Sequence, residues 1–126
     1  MTPDGLCHGA RELGNDGESA AALYLESRGF RIAARNLRIG RTEVDLVARK
    51  RGTLVFCEVK TRRSARLGLP ELAVNARKQQ RLLRAAAAYL ARHPPAGEVR
   101  FDVISVVEDD RGHLRVRHIE GAFRPW

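Results

Sequence analysis

Apolar residues follow two spacings along this chain. From about Ala10 to Arg28, Leu13, Gly17, Ala20, Ala21 and Tyr24 recur at helical spacing, and Gly29 follows as a stop. Gly14 and Gly17 would each cost about 1 kcal/mol against alanine inside a helix. They predict a late helix start or a close approach to a neighbouring element. Strand-like runs follow over Phe30 to Leu37, Glu43 to Arg49 and Thr53 to Thr61, with Lys50-Arg51-Gly52 as the turn between the last two. A second helix is predicted from Pro70, as first helical residue, to about Arg92, where His93-Pro94-Pro95 stops it. Its core side would carry Leu72, Leu82, Leu83, Ala86, Tyr89 and Leu90. Glu98 to Val107 and Leu114 to Ile119 read as two further strands.

The order helix, three strands, helix, two strands implies an α/β fold: one mixed sheet flanked by helices. The long helical crossover allows the third and fourth strands to be parallel. The length of 126 residues suits a single domain spanning 1–126, with 1–8 as a flexible lead.

Charge interrupts this pattern at one place. Leu54-Val55-Phe56-Cys57-Glu58-Val59-Lys60 is apolar until Glu58 and Lys60, which lie two apart and share a strand face. If Arg51-Gly52 is a two-residue loop, Lys50 pairs with Thr53, Asp45 lies opposite Glu58, and Glu43 lies opposite Lys60. Four charged groups then gather on one face, with Val44 and Leu46 packing behind alongside Cys57 and Val59.

The net charge of +8 points toward a polyanionic partner. From Arg28 to Arg84 there are 16 basic residues and four acids, Glu43, Asp45, Glu58 and Glu71, so this segment alone carries +12. Arg77, Arg81 and Arg84 follow helical spacing, with Lys78 nearby. Twenty arginines stand against three lysines, Lys50, Lys60 and Lys78, so most basic positions accept a guanidinium and Lys60 is set apart. No apolar run approaches the roughly 18 residues of a membrane span. With no leader-like N-terminus, a cytoplasmic location is expected. Cys57 reads as a small buried apolar side chain. The four histidines form no constellation, and nucleophile triads, phosphate-cradling glycine loops and zinc pairs are absent from the sequence.

Gly14-x-x-Gly17-Glu18-x-x-Ala21, Arg35-Asn36-x-Arg38, Glu43-Val44-Asp45-Leu46-Val47, Phe56-x-Glu58-Val59-Lys60 and Arg100-Phe101-Asp102-Val103 occur in this order. Together they resemble the YraN family of small bacterial proteins, which is itself similar to archaeal Holliday-junction resolvases and the PD-(D/E)XK, restriction-endonuclease-like superfamily. The resemblance covers residues 9 to 123. One position departs from it: Thr42 stands where the family usually has glycine.

The resemblance implies a restriction-endonuclease-like sheet in the order αβββαββ and a Mg²⁺-dependent endonuclease acting on branched or damaged DNA. Asp45, Glu58 and the carbonyl of Val59 would hold Mg²⁺, with Mn²⁺ as a second candidate. Glu18 would be a third carboxylate. Lys60, kept charged by its acidic neighbours, would orient water and stabilise the transition state. Glu43 is an accessory group or the ion-pair partner of Lys60. Arg35, Arg38, Arg62, Arg63, Arg77, Lys78 and Arg81 are candidates for phosphate contacts. Resolvase-like cutting would need two sites and therefore a homodimer. Two other readings stay open: a non-catalytic DNA- or RNA-binding protein on a nuclease-like fold, and a protein-interaction adaptor. For the charge cluster itself, the plain alternative is a cross-strand ion-pair group.

Overall fold

The computed structural model describes residues 10–63, 75–94 and 97–123. The elements are α1 (Ala10–Ser27), β1 (Arg31–Ile39), β2 (Thr42–Lys50), β3 (Thr53–Arg62), α2 (Ala76–Arg92), β4 (Val99–Glu108) and β5 (Leu114–Phe123). The strands form one sheet in chain order, antiparallel throughout except for the parallel β3–β4 pair. The expected lead over 1–8, Pro70 and Leu72 lie outside the described residues, as does most of the basic loop Arg62 to Leu69.

Each helix covers one face of the sheet. Ala21, Ala22 and Leu25 of α1 pack with Leu46, Ala48, Val55, Cys57, Val59, Ile104 and Val106. Leu82, Ala85 and Ala86 of α2 pack with Val44, Val47, Leu54, Phe56, Phe101 and Val103. β3 and β4 are buried on both sides, which is why they read as nearly continuous apolar runs.

α1 ends where Gly29 takes φ 91. Its amide bonds to the Glu26 carbonyl and that of Phe30 to the Leu25 carbonyl, both at 3.0 Å, a Schellman stop. The close approach foreshadowed by the helix glycines occurs at Gly17, where a Cβ would stand 2.2 Å from Thr61 Oγ1. Thr61 lies near the end of β3, so α1 is seated against the face of β3 opposite Lys60, with Glu18 close enough for its charge to act on Asp45. α2 starts later than Pro70 predicts. Asn75 is extended, with φ −77 and ψ 175, and its side chain accepts from the Lys78 amide at 3.0 Å, making it the N-cap of a helix beginning at Ala76.

Candidate functional site: a carboxylate pair between β2 and β3

The hairpin register is as read from the sequence from Lys50↔Thr53 to Leu46↔Cys57, and there the ladder stops. Instead of continuing it, Asp45 turns its side chain to β3, where Oδ2 accepts from the Val59 amide at 2.8 Å. The neighbouring strand bends at the same level. Asn36, flanked by the pairs Arg35↔Leu46 and Leu37↔Val44, takes φ 50. Asparagine tolerates that left-handed conformation better than most residues. It breaks the inside–outside alternation of β1, so that Ala34 and Leu37, three residues apart, both pack on the α2 side.

Two expectations are corrected by this bend. Val44 joins the α2-side core while Leu46 joins the α1-side core, so they do not pack together behind the charges. Glu43 does not face Lys60. It is paired in register with Arg38 on β1, and their side chains form a loose, exposed ion pair at 4.0 Å.

Glu58 is only 4% exposed. It is held by two ammonium groups, Lys60 at 3.4 Å and Lys78, which hydrogen-bonds it directly. Lys78 lies one turn before Leu82 and two before Ala85, on the inward side of α2. Helical spacing alone grouped it with the phosphate-contact arginines, whereas tertiary packing makes it part of the carboxylate cluster.

The charges in this cluster are not all satisfied. Burial and the charge of Glu58, with a contribution from Glu18, push Asp45 up to about 7 against the opposing Val59 hydrogen bond and Lys78. Burial works against the charged form of Lys78, but hydrogen bonds to Glu58 and Lys60 and the charges of Glu58 and Asp45 raise its pKa overall. Lys60 moves the other way: burial, then the competing Lys78 ammonium, outweigh Glu58 and lower its pKa. Burial, with Lys78 competing for Glu58, thus offsets the pull of the carboxylate on Lys60.

The donor set suits a hard divalent cation. Two carboxylates are crowded together, one of them driven toward its neutral form by the other, and Mg²⁺ is commonly held by one or two carboxylates while keeping several waters. Among the described residues no group of three His, Cys, Asp or Glu side chains is close enough to hold an ion. Glu18 is thus near enough to be felt by Asp45 but is not drawn in as a third ligand. The pair opens into a cleft of about 390 Å³ lined also by Arg41, Thr42, Arg77 and Arg81.

The other candidate residues are dispersed. Arg35 donates to Ser19 Oγ of α1 at 3.2 Å. Arg38 lies near the end of β1 in its ion pair with Glu43, Arg62 ends β3 and Arg63 follows it. The sequence reading named Asp102 within a motif but gave it no partner or role. Asp102 of β4 is completely buried and accepts two bonds from Arg100, at 2.9 Å each, and one from the Gly121 amide at 2.9 Å. His118 Nε2 completes the set at 2.6 Å, its side chain 5% exposed beneath Tyr24 and Phe30 of the α1 side. Burial opposes ionisation of Asp102, yet His118, Arg100 and the Gly121 amide together hold it below the ordinary carboxylate range. Cys57 is buried as expected, and burial pushes its thiol well up.

Fold and cluster together define a class: a mixed-sheet α/β domain of αβββαββ order with a lysine-flanked carboxylate pair where two central strands part. The chain belongs to the uncharacterised protein family UPF0102, whose model matches residues 17–106, and this is the YraN family of the resemblance. It is 50% identical over 117 residues to the UPF0102 protein of Symbiobacterium thermophilum, covering 90% of this chain and 98% of that one. A Parafrankia UPF0102 protein is 48% identical over 115 residues, with the same coverage of each chain. One from Chlorobium phaeobacteroides is 45% identical over 118 residues, covering 89% and 94%. Among the described residues no helix is long and apolar enough to cross a membrane.

Proposed function

We propose that this protein binds nucleic acid and hydrolyses its phosphodiesters as a Mg²⁺-dependent endonuclease. The observation that carries the reading is the crowding of Asp45 against the buried Glu58 where β2 leaves β3, in a cleft flanked by Arg77 and Arg81. Asp45 and Glu58 are the residues that would hold the ion, and in this class of chemistry a bound divalent ion stabilises phosphoryl charge and acidifies a water. The chain's own groups prepare the rest. The Val59 amide fixes the Asp45 carboxylate. Lys78 offsets the charge of Glu58, and Lys60, on the same strand face as Glu58, orients a water beside the scissile phosphate and stabilises the charge that develops there. Arg77 and Arg81 hold flanking phosphates by charge-assisted hydrogen bonds.

One observation favours a second reading, a nucleic-acid-binding protein without turnover: Lys78 itself pairs with Glu58 and balances its charge. A cleavage panel separates the two. Single-stranded, duplex, flap and four-way DNA, together with RNA, are incubated with Mg²⁺ or Mn²⁺ and either the wild type or Asp45→Asn. The nuclease reading expects divalent-dependent cleavage, reduced about 100-fold or more in the variant, as for other losses of transition-state charge stabilisation, while binding persists. Equal cleavage by both proteins, in preparations free of contaminating nuclease, sinks it. Salt-sensitive binding with no cleavage of any substrate supports the second reading.

A further inference from the structure

The carboxylate cleft does not end at Arg81. A second cleft of about 550 Å³ shares Arg41, Thr42 and Arg81 with the first and continues to Arg84, Ile39 and Gly40. A third, of about 330 Å³, shares Ile39 and Gly40 with the second and runs on to Arg38, Tyr89, Arg92 and His93. The three form one continuous groove between the β1–β2 turn and the flank of α2. Helix geometry explains its charge. Arg77, Arg81, Arg84 and Arg92 lie at i, i+4, i+7 and i+15, on one side of α2, and the helix contains no acid. Among the described residues no carboxylate pairs with Arg81, Arg84 or Arg92.

The far end differs in character. Tyr89 is anchored edge-on against Phe56, and His93 stacks on Tyr89 with ring centroids 4.5 Å apart and planes at 26°. His93 is exposed, so the stack offers an open aromatic face at the groove's end. A line of arginines leading to an aromatic platform is the combination that tracks a single polynucleotide strand: cations follow the phosphates and a ring takes a base. Each cleft falls within the ~300–1,000 Å³ range of small-ligand sites, a scale that suits single nucleotide units. From Arg77 to Arg92 the helix runs about 22 Å at 1.5 Å per residue. At the roughly 3.4 Å per nucleotide of a strand stacked as in duplex DNA, that length accommodates at most about six nucleotides, and fewer of an extended strand.

We infer that this groove is a single-strand track, carrying one DNA or RNA strand from the Asp45–Glu58 cleft past Arg84 and Arg92 to a base stacked on His93. The inference rests on the nucleic-acid reading of the site and adds the form of the substrate and three residues, Arg84, Arg92 and His93, to its binding surface.

The test uses the full chain, a fluorescein-labelled 20-nucleotide single strand in DNA and RNA versions, the matching duplex, and a labelled trinucleotide. The wild type is compared with Arg84→Ala/Arg92→Ala and with His93→Ala. Loss of two phosphate contacts should lower the salt slope for the long strand by about 1.4, and loss of the platform should weaken it about 5-fold or more. Binding of the trinucleotide and of Mn²⁺ alone should not change, and thermal melts would confirm folded variants. The relative affinity for the two long strands tells DNA from RNA. An unchanged slope and affinity, equal losses on the trinucleotide, or tighter binding of the duplex than of the single strand would each overturn the track. So would binding of polyglutamate with no binding of either strand at low salt, which indicates an adaptor. Cleavage unaffected by Asp45→Asn removes the nuclease reading but leaves this one standing, and a wild-type slope in the double variant removes this one alone.

Discussion

Beneath α1, the single carboxylate of Asp102 receives Arg100, His118 and the Gly121 amide. On the α2 side, Asp45 has one backbone donor and a second acid, Glu58, for a neighbour, while two lysines compete over Glu58. Both groups sit on the same sheet among similar apolar residues, yet one acid is stabilised in its charged form and the other is driven toward neutrality. The difference is in the ratio of donors to charge. Enough donors make a buried carboxylate a structural clamp. Too few, with a like charge alongside, leave a demand for positive charge that a cation can meet.

Three variants would break or sharpen this contrast. The largest effect is expected from Asp102→Ala, which strands the Arg100 charge and the donors of His118 and Gly121. It should cost about 3–5 kcal/mol, the usual penalty for breaking a buried pair, read as a lower midpoint in urea. Because Asp102 is held below its ordinary range, its contribution is present above that range and is lost as pH falls through its folded value. An unchanged midpoint would mean the clamp does not hold the fold.

Asp45→Asn should act in the opposite direction. Asp45 is raised to about 7, so between its unfolded value of about 4 and its folded value the native state holds a proton the unfolded chain has released. Its contribution is full at low pH and declines as pH rises through about 7. The amide of asparagine can still accept from Val59, so the variant should melt several degrees above the wild type at pH 8, by up to a few kcal/mol, and show little gain at pH 4. Mg²⁺ should then raise the melting temperature of the wild type and not of the variant. The same difference at both pH values would show that Asp45 is not frustrated by its neighbours.

The smallest effect is at Asn75, whose cap sets where α2 begins and so where Lys78 meets Glu58. Asn75→Ala should cost about 1 kcal/mol and Asn75→Gly only a few tenths, measured by denaturant titration. Equal losses in the two variants would show that the side-chain cap does not set the start of α2.

Local rules made much of this legible. Strand β3 with its Glu58-x-Lys60 spacing, the Arg51-Gly52 turn, the Gly29 stop and the parallel β3–β4 pair all follow from alternation, turn chemistry and the length of a crossover. What misled was the assumption that alternation continues unbroken. Asn36 reverses it, and asparagine inside a strand pattern was the available signal. The histidines looked scattered because Asp102 and His118 lie on different strands and meet only through the β4–β5 register.

By itself, then, the sequence determined which residues carry charge, which face of each strand they start on, and the order of elements, because these depend on neighbours close along the chain. Only the tertiary structure decided which cation Glu58 receives. Lys60 is adjacent in sequence, but Lys78 arrives across twenty residues on a helix whose start is set by its cap and whose height is set by the core beneath it. In a buried site that placement governs which lysine holds Glu58 most closely, because a short hydrogen-bonded contact at low dielectric outweighs proximity along the chain.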